Sequence, residues 1–305
     1  MITQEFTVSE NDAGLRLDEF VTRHLPGFTK GAIIRAIDYH SILLNNRVSK
    51  KGFKLRAGDT IQIKDLSSNR VYPNPDIPVS VIYRDDYLFA INKPAGLPAH
   101  PNRPHERDTL ANGLIAAFPQ QEGIGDSPLV AGILHRLDTD TSGLTLAART
   151  QEIFDYFRTA FSERQLEKTY LALVEGHITE KGRLEHNLIH NPQHPGHMID
   201  ADTVRDPERP MKAVTRYQPI REFRNHTLLE VGIRTGVTHQ IRCQLSLAGF
   251  PIVGDTRYGG QAVPGFPRHF LHASAIEFSL PGTQQITRLE APLTKDLNIF
   301  LAGLR

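Results

Sequence analysis

The chain has 305 residues, which is long for one domain. Its net charge is +1, which excludes nucleic-acid binding through a uniformly basic surface. Cys243 is the only cysteine, so the sequence excludes an internal disulfide and a multi-cysteine zinc site. The polar N-terminal segment lacks the apolar core of a signal peptide and no apolar run reaches membrane-spanning length, so we expect a cytoplasmic protein without a membrane segment.

The first predicted elements form a small module over residues 1–66. Apolar residues recur at helical spacing in "RLDEFVTRHL" and "KGAIIRAIDY", and "ILLNN" and "TIQI" have the composition of strands. The basic side chains of this module indicate either a solvated surface or one that contacts nucleic-acid phosphates. These side chains are Lys30, Arg35, Arg47, Lys50, Lys51, Lys54 and Arg56. Residues 67–80 are rich in Ser, Asn and Pro and lack periodicity, which predicts a linker.

Strands and helices are mixed over residues 81–305. Strands are predicted on both sides of the Arg-Asp-Asp turn in "VSVIYRDDYLFAINKPAG", and in "GLTLAAR", "KTYLALVEGHI" and "HTLLEVGIR". Helices are predicted in "TLANGLIAAF", "IFDYFRTAFSER" and "THQIRCQLSLAG", the last capped by Thr238 and ended by Gly249. Because this order lacks regular βαβ alternation, the sequence predicts an α+β fold.

The stretch "HRLDTDTSGLTLAART" contains the acidic residues that most need an explanation. Residues 138–143 match the first half of a calcium loop, but Arg149 occupies the position of its last anionic ligand and disfavours calcium. Residues 140–142 are also explained by a turn, because Asp, Thr and Ser side chains bond nearby backbone groups. The turn leaves Asp138 unexplained, and a carboxylate fixed at the mouth of a loop can act as nucleophile or base.

Four histidines lie close together in the sequence, at His186, His190, His194 and His197. Prolines at positions 192 and 195 interrupt the spacing that a metal site on one helix would use, so we predict an exposed loop and no metal site. The charged, proline-rich continuation to Pro210 would become ordered only against a partner. The chain has no phosphate-loop or dinucleotide motif, so we expect no cofactor.

Several motifs, in order along the chain, resemble those of the RluA-type pseudouridine synthases. "HRLDTDTSGLTLAA" is similar to the signature loop of that family, "INKPAGLPAHP" to its first motif and "EKTYLALVEG" to the motif that carries its active-site tyrosine. "GVTHQIRCQLSLAGFPIVGDTRYGG" resembles the third motif and its extension, while "FLHASAIEFSLPG" and "APLTKDL" resemble the C-terminal strands. Residues 16–66 resemble the S4 RNA-binding domain that several members carry before the catalytic domain.

The resemblance implies an enzyme that converts uridine in RNA into its C-glycosidic isomer without a cofactor. It implies a small α/β S4-like domain over residues 1–66, a linker over 67–80 and a catalytic domain over 81–305. The catalytic domain would have the pseudouridine synthase fold, a mixed and largely antiparallel central sheet flanked by helices and loops. The partner would be RNA, and nothing in the sequence demands more than a monomer.

The resemblance also implies roles for individual residues. Asp138 would be the catalytic carboxylate, which either attacks C1′ of the ribose or removes the C2′ proton, and Arg242 would pair with it. Arg136 would help to extrude the target nucleotide, and Tyr170 would contact the flipped base and assist proton removal from C5. A nearby guanidinium keeps a carboxylate ionised. Unstacking a base costs a few kcal/mol, and side chains inserted into the RNA offset this cost. The substrate- or RNA-binding residues would be Lys93, His135, Thr141, Lys168 and His239, with Lys30, Arg35, Lys50 and Lys51 in the S4-like domain.

Two positions depart from the family pattern. Val237 stands where members usually have Arg or Lys, and Gln244 stands where His is common. We expect both changes to remove a polar or cationic group near the RNA.

The S4-like module favours a large structured substrate, so we expect large-subunit (23S) ribosomal RNA, with transfer RNA as the alternative. Two further alternatives are a non-catalytic RNA-binding protein and a calcium- or zinc-dependent protein.

Overall fold

The computed structural model describes residues 4–26, 28, 30–38, 40–63, 70–102, 106–194, 196–283 and 285–304, with only the backbone of residues 32 and 35. The RNA-binding role expected of Arg35 therefore lies outside the described side chains. The chain divides into two compact units, Met1–Arg70 and Val71–Arg305. None of the described helices is both long and apolar enough to span a lipid bilayer.

The first unit consists of β1 (Gln4–Thr7), α1 (Leu17–His24), α2 (Lys30–Asp38), β2 (Ile42–Leu44) and β3 (Thr60–Ile63). Its strands form an antiparallel sheet in the order β1-β3-β2. Phe20 and Val21 of α1 are buried with Ile33 and Ile37 of α2, so apolar residues at helical spacing form the core of this unit. Its basic side chains Lys30, Lys50 and Lys51 are exposed. The identification of this unit as an S4-like domain stays a prediction.

The second unit is built on one large sheet. Its strands are β4 (Val81–Arg84), β5 (Leu88–Lys93), β6 (Ser142–Ala148), β7 (Glu167–Glu175), β8 (Gly182–His190), β9 (Met198–Asp200), β10 (Met211–Glu222), β11 (His226–Ile233), β12 (Leu271–Ser279) and β13 (Ile286–Glu290). Its α-helices are α3 (Leu110–Ala117), α4 (Gln151–Ser162), α5 (Gln240–Leu247) and α6 (Lys295–Gly303). The strand order is β4-β5-β6-β12-β7-β11-β10-β8-β9, with β13 paired to β12. The predicted α+β fold class is confirmed.

Strand β6 lies in the interior of this unit. All seven of its residues are buried, which explains the continuous apolar run in "SGLTLAA", because a strand covered on both faces needs no polar alternation. On one side β6 packs against α4, whose residues Ile153, Phe154 and Phe157 share one apolar face. The strand that follows Asp138 is therefore held rigidly by the core.

The histidine segment differs from its prediction. His186 and His190 lie in β8, which pairs with β10 and β9, and not in an exposed loop. The side chains of β8 alternate between partly buried and exposed over its first six residues, the pattern of a strand with one solvated face. The many polar residues of this strand conceal that alternation in the sequence.

Two further local predictions are wrong. Helix α5 is preceded by His239 in a left-handed conformation with φ of 52°, so Thr238 is not its cap. The predicted end at Gly249 is correct, since this residue follows the helix with φ of 84°. Residues 291–294 form no strand, and α6 begins directly after them at Lys295. The last strand of the sheet is instead β13.

The sheet register brings three distant segments to the same level. Ser142 of β6 pairs with His272 of β12 in a parallel arrangement, and Tyr170 of β7 pairs with Ala273 of β12. The turn that precedes β6, the segment that precedes β12 and the middle of β7 therefore lie side by side. This register positions the candidate site.

Gly143 makes the close contact between β6 and β12 possible. Its φ is +116°, and a Cβ atom on it would lie 2.2 Å from the carbonyl oxygen and 2.7 Å from the nitrogen of Ala273. Both atoms belong to the backbone of the neighbouring strand and cannot move without breaking the sheet. Only glycine fits this position.

We expect Gly143→Ala to destabilise the second unit by roughly 3 kcal/mol or more, because it combines a strained backbone with a clash against a strand. Urea unfolding followed by circular dichroism measures the loss, or the protein fails to accumulate in soluble form. Gly303→Ala is the matched control, because no atom lies within 4 Å of its added Cβ and its φ is not positive. A Gly143→Ala protein as stable as this control would contradict the argument.

Candidate active site

Asp138 lies in a tight turn immediately before β6. Its carbonyl oxygen accepts a hydrogen bond from the backbone N–H of Thr141 at 3.1 Å, which closes the turn. Its side chain is 25% exposed, so the carboxylate is accessible from a cleft yet mostly removed from water. The cleft has a volume of about 1170 Å³ and is lined by β7, α5 and the loops around them. A partly buried carboxylate at the base of such a cleft fits the chemistry predicted for Asp138.

The guanidinium of Arg242 bridges two carboxylates. Its Nη1 donates to Oδ2 of Asp138 at 2.8 Å. Its Nε and Nη2 donate to the two oxygens of Asp255 at 2.6 and 2.8 Å, a bidentate pair. The side chains of Arg242 and Asp255 are 7% and 1% exposed, so this pair is almost completely buried. The turn before β6, helix α5 and the loop after α5 thereby meet at the guanidinium of Arg242.

The charges around Asp138 determine its protonation state. Burial raises the pKa of Asp138, but His239 and the Arg242 guanidinium more than offset this effect, and the pKa lies below its ordinary value. Burial opposes the charge of Arg242 too, yet the hydrogen bonds and charge of Asp255 raise its pKa above the ordinary value. Asp138 is therefore an ionised carboxylate at neutral pH. Sequence reasoning missed Asp255, whose only signal was its position in the quoted motif "GDTRYGG".

Two glutamines hold α5 in place and so position Arg242. The side chain of Gln240 accepts from Thr235 Oγ1 at 2.8 Å and donates to the Val214 carbonyl at 3.0 Å. Gln244 accepts from Thr215 Oγ1 at 2.7 Å and is fully buried. The expectation that residue 244 lies near the RNA is therefore wrong, because this side chain anchors the helix to β10.

His239 connects Asp138 to Tyr258. Its Nε2 lies 3.7 Å from Asp138 Oδ2, and its Nδ1 lies 2.9 Å from the hydroxyl of Tyr258. That hydroxyl already accepts from the backbone N–H of Met198, so its proton is available for Nδ1. The resulting tautomer directs an Nε2–H toward the carboxylate. The predicted site residue His239 thus lies beside Asp138, and Tyr258, which sequence reasoning missed, fixes its orientation.

Two buried histidines hold the turn that carries Asp138. Nε2 of His269 lies 2.7 Å from Thr141 Oγ1, and Nδ1 of His272 lies 2.9 Å from Ser142 Oγ. Burial lowers the pKa of both histidines to about 4, so both are neutral at pH 7. Thr141 is 2% exposed and its hydroxyl is engaged by His269, so it fixes the turn, and its predicted contact with substrate stays a prediction.

Lys93 is also a structural residue. Its side chain has no exposed surface, and its ammonium donates to the carbonyls of Pro94, Leu97 and Thr139 at 2.9, 2.7 and 3.0 Å. An ammonium has three N–H donors, so none remains for a ligand. The RNA contact predicted for Lys93 is therefore wrong. The residue ties the loop after β5 to the turn beside Asp138.

Tyr170 and Lys168 project from β7 into the same cleft. Burial, and then the charge of Asp138, raises the pKa of Tyr170 above its ordinary value, so its hydroxyl keeps its proton at neutral pH. Burial lowers the pKa of Lys168 to about 8. Arg136 and His135 line the cleft as well, and the side chain of Arg136 is exposed. The structure thus brings all predicted residues of this unit except Lys93 to one cleft.

Comparison with known proteins agrees with this geometry. The family model for RNA pseudouridylate synthase matches residues 87–247. Ribosomal large subunit pseudouridine synthase D of Xanthomonas campestris is 33% identical over 99% of this chain and 92% of its own length. The protein of the same name from Escherichia coli is 31% identical over 98% of this chain and 93% of its own.

Among solved structures, human RNA pseudouridylate synthase domain containing 1 is 26% identical, with a TM-score of 0.57 over 74% of this chain and 88% of that one. Human RNA pseudouridylate synthase domain containing 4, at 24% identity and a TM-score of 0.57, shares the fold over 73% of this chain and 92% of that one. The resemblance found in the sequence motifs is confirmed. Because the family model spans more than half of the 305 residues and relatives align over nearly all of them, the chain belongs to the RNA pseudouridylate synthase family.

Proposed function

We propose that this pseudouridine synthase acts on large-subunit ribosomal RNA and that Asp138 is its catalytic carboxylate. The main support for the substrate is the name shared by the relatives from Xanthomonas campestris, Nitrosomonas europaea and Escherichia coli, each a ribosomal large subunit pseudouridine synthase. The observation that supports the catalytic role is the contact of Asp138 with Arg242 at the base of the cleft. Both parts of the proposal can be tested separately.

The reaction breaks the N1–C1′ bond of uridine and forms a C5–C1′ bond, and C5 loses a proton while N1 gains one. A carboxylate that acts on the ribose as nucleophile or base must be ionised before substrate arrives. Arg242 and His239 meet this requirement by lowering the pKa of Asp138 in spite of burial. The reaction is a rearrangement within one nucleoside, so it needs no group donor.

Asp255 is the positioning residue for this carboxylate. It accepts hydrogen bonds from Nε and Nη2 of the Arg242 guanidinium, and Nη1 on the other side donates to Asp138. A guanidinium held in this way cannot rotate or withdraw from the catalytic group. We infer that Asp255 contributes to catalysis through the orientation of Arg242 and without touching the substrate.

Arg136 and Tyr170 would receive the extruded nucleotide. Arg136 is exposed, so its guanidinium is free to enter the space left in the RNA stack. Tyr170 offers a ring and a protonated hydroxyl beside the base. A phenol with a raised pKa is a poor general base, so we assign Tyr170 to base contact, and any help in removing the C5 proton requires another acceptor.

The exposed basic residues of the first unit would contribute affinity. Lys30, Lys50 and Lys51 have the chemistry of phosphate contacts, which neutralise backbone charge irrespective of sequence. Large folded RNA offers many phosphates to such a surface. We infer that this unit strengthens binding, while the cleft of the second unit selects the uridine.

We expect Asp138→Asn to lower the rate of pseudouridine formation by about 10²–10⁴-fold or more, because the amide can act neither as nucleophile nor as base. RNA affinity, measured by filter binding, should remain, since the substitution leaves the cleft intact. Asp140→Asn is the control, because the Asp140 side chain is exposed and, among the residues that the structure describes, its hydrogen bond is made by its backbone carbonyl, from Arg268. Normal turnover by Asp138→Asn would refute the catalytic assignment.

We expect Asp255→Asn to lower kcat by roughly tenfold or more, which corresponds to about 1.4 kcal/mol of lost transition-state stabilisation. The substitution leaves Arg242 with one anionic partner and free to tilt, so kcat should fall more than KM rises. Rates at saturating RNA separate the two effects. Glu277→Gln serves as control, because it disrupts an ion pair with Arg288 at an exposed position. Equal effects of the two variants on kcat would contradict a positioning role.

Mapping of pseudouridines in total RNA tests the proposed substrate. Deletion of the gene should remove pseudouridine from one or more positions of large-subunit ribosomal RNA. Wild-type protein should restore it and Asp138→Asn should not. Loss confined to transfer RNA would replace the proposed substrate with the alternative considered from the sequence.

A further inference from the structure

A second group of cleft residues lies beside the catalytic ones. Phe161, at the end of α4, packs one side against the core and lines the cleft with the other. The ring of His135 lies 5.4 Å from the ring of Phe161, and Nζ of Lys168 lies 5.7 Å from the same centroid. An aromatic ring flanked by two nitrogen donors is thus presented to the cleft.

Lys168 is a buried cation with spare donors. It is 7% exposed, and Nζ donates to the Thr235 carbonyl at 3.1 Å, the one acceptor found for it among the residues that the structure describes. Lys93, buried to a similar extent, uses all three of its N–H groups on backbone carbonyls. The contrast is informative because an ammonium removed from water needs acceptors for each donor. Lys168 therefore has N–H groups left for a ligand in the cleft.

His135 supplies a neutral donor. Its Nε2 accepts from the backbone N–H of Leu146 at 3.1 Å, so the proton of the neutral ring is on Nδ1. Burial, and then the nearby Lys168, lowers the pKa of His135 to about 3, so the ring stays neutral. Within the described part of the chain this Nδ1–H has no acceptor. A ligand acceptor would complete its hydrogen bonding.

We propose that Phe161, His135 and Lys168 form a subsite for the nucleobase adjacent to the target uridine. The inference rests on the function of the chain as an RNA pseudouridine synthase. The ring of Phe161 would stack on the base, and His135 and Lys168 would donate to its carbonyl oxygen, which uracil, cytosine and guanine offer. Arg158 also lines this part of the cleft, but it is paired with Asp126 at 3.0 Å.

The spacing along β7 separates this subsite from the catalytic position. Lys168 and Tyr170 are two residues apart on one face of the strand, so their backbones lie roughly 6.6 Å apart. Stacked bases are about 3.4 Å apart. A base bound by Lys168 and a base against Tyr170 would therefore lie further apart than two stacked bases. The subsite would hold the neighbouring nucleotide in place while the uridine reacts. It would favour neighbouring bases that carry a carbonyl oxygen.

The experiment combines enzyme variants with altered RNA. The substrate is a short RNA that contains the uridine found by pseudouridine mapping, whether ribosomal or transfer RNA, so this test is independent of the proposed substrate class. Matched RNAs carry an abasic ribose on the 5′ or the 3′ side of the target. Phe161→Leu keeps the apolar packing but removes the ring, Phe161→Tyr keeps the ring, and Glu152→Ala is an exposed control on the same helix.

On intact RNA we expect Phe161→Leu to lower kcat/KM by about 5- to 150-fold, the range that corresponds to loss of one base–aromatic stack. Phe161→Tyr and Glu152→Ala should stay near wild type. On one of the two abasic RNAs the kcat/KM of the wild-type enzyme should fall by a similar factor. On that RNA the kcat/KM of Phe161→Leu should be close to that of the wild type. An equal loss by Phe161→Leu on intact RNA and on both abasic RNAs would show that the ring has only a structural role and would overturn the proposal.

Discussion

The candidate active site depends on one cation, the guanidinium of Arg242, shared by two carboxylates. Arg242 is buried, and a buried guanidinium is stable only when its donors are satisfied. Asp255 satisfies it from the loop between α5 and β12, and Asp138 from the turn before β6. The contact with Asp138 joins residues 104 positions apart, so the helix, the loop and the turn must all be in place before it forms. The catalytic geometry is thereby a product of the whole second unit.

Much of the surrounding polar network serves to hold this arrangement. Gln240 and Gln244 anchor α5, while His269 and His272 hold the turn. Lys93 joins that turn to the preceding loop. These groups are fully or almost fully buried and hydrogen-bonded, as polar groups in a protein interior must be. The cleft residues with unused donors, Lys168 and His135, stand out against this background.

The sequence predicted helices α3, α4 and α5 and most strands of the second unit, because apolar periodicity is a local signal, and a specific motif singled out Asp138. It missed α6, because the segment where this helix begins resembles a strand of the family. It could not distinguish a buried lysine from one that contacts RNA, so Lys93 was assigned wrongly. Gln244 was misplaced for the same reason, since burial depends on tertiary packing. Asp255 was missed because its partnership with Arg242 depends on how the intervening loop folds back. Strand β8 was hidden because polar residues occupy both of its faces over its first six positions, so apolar and polar residues do not alternate there.

Asp138 and Tyr170 keep their protonation states around neutral pH. Asp138 is ionised because its pKa lies below the ordinary value, and Tyr170 is protonated because its pKa lies above it. His269 and His272, with pKa values of about 4, are neutral and add no competing charge near the carboxylate. Arg242, whose charge does not titrate in this range, is the permanent cation bonded to Asp138. The fold therefore presents Asp138 to the cleft as an ionised carboxylate of fixed orientation.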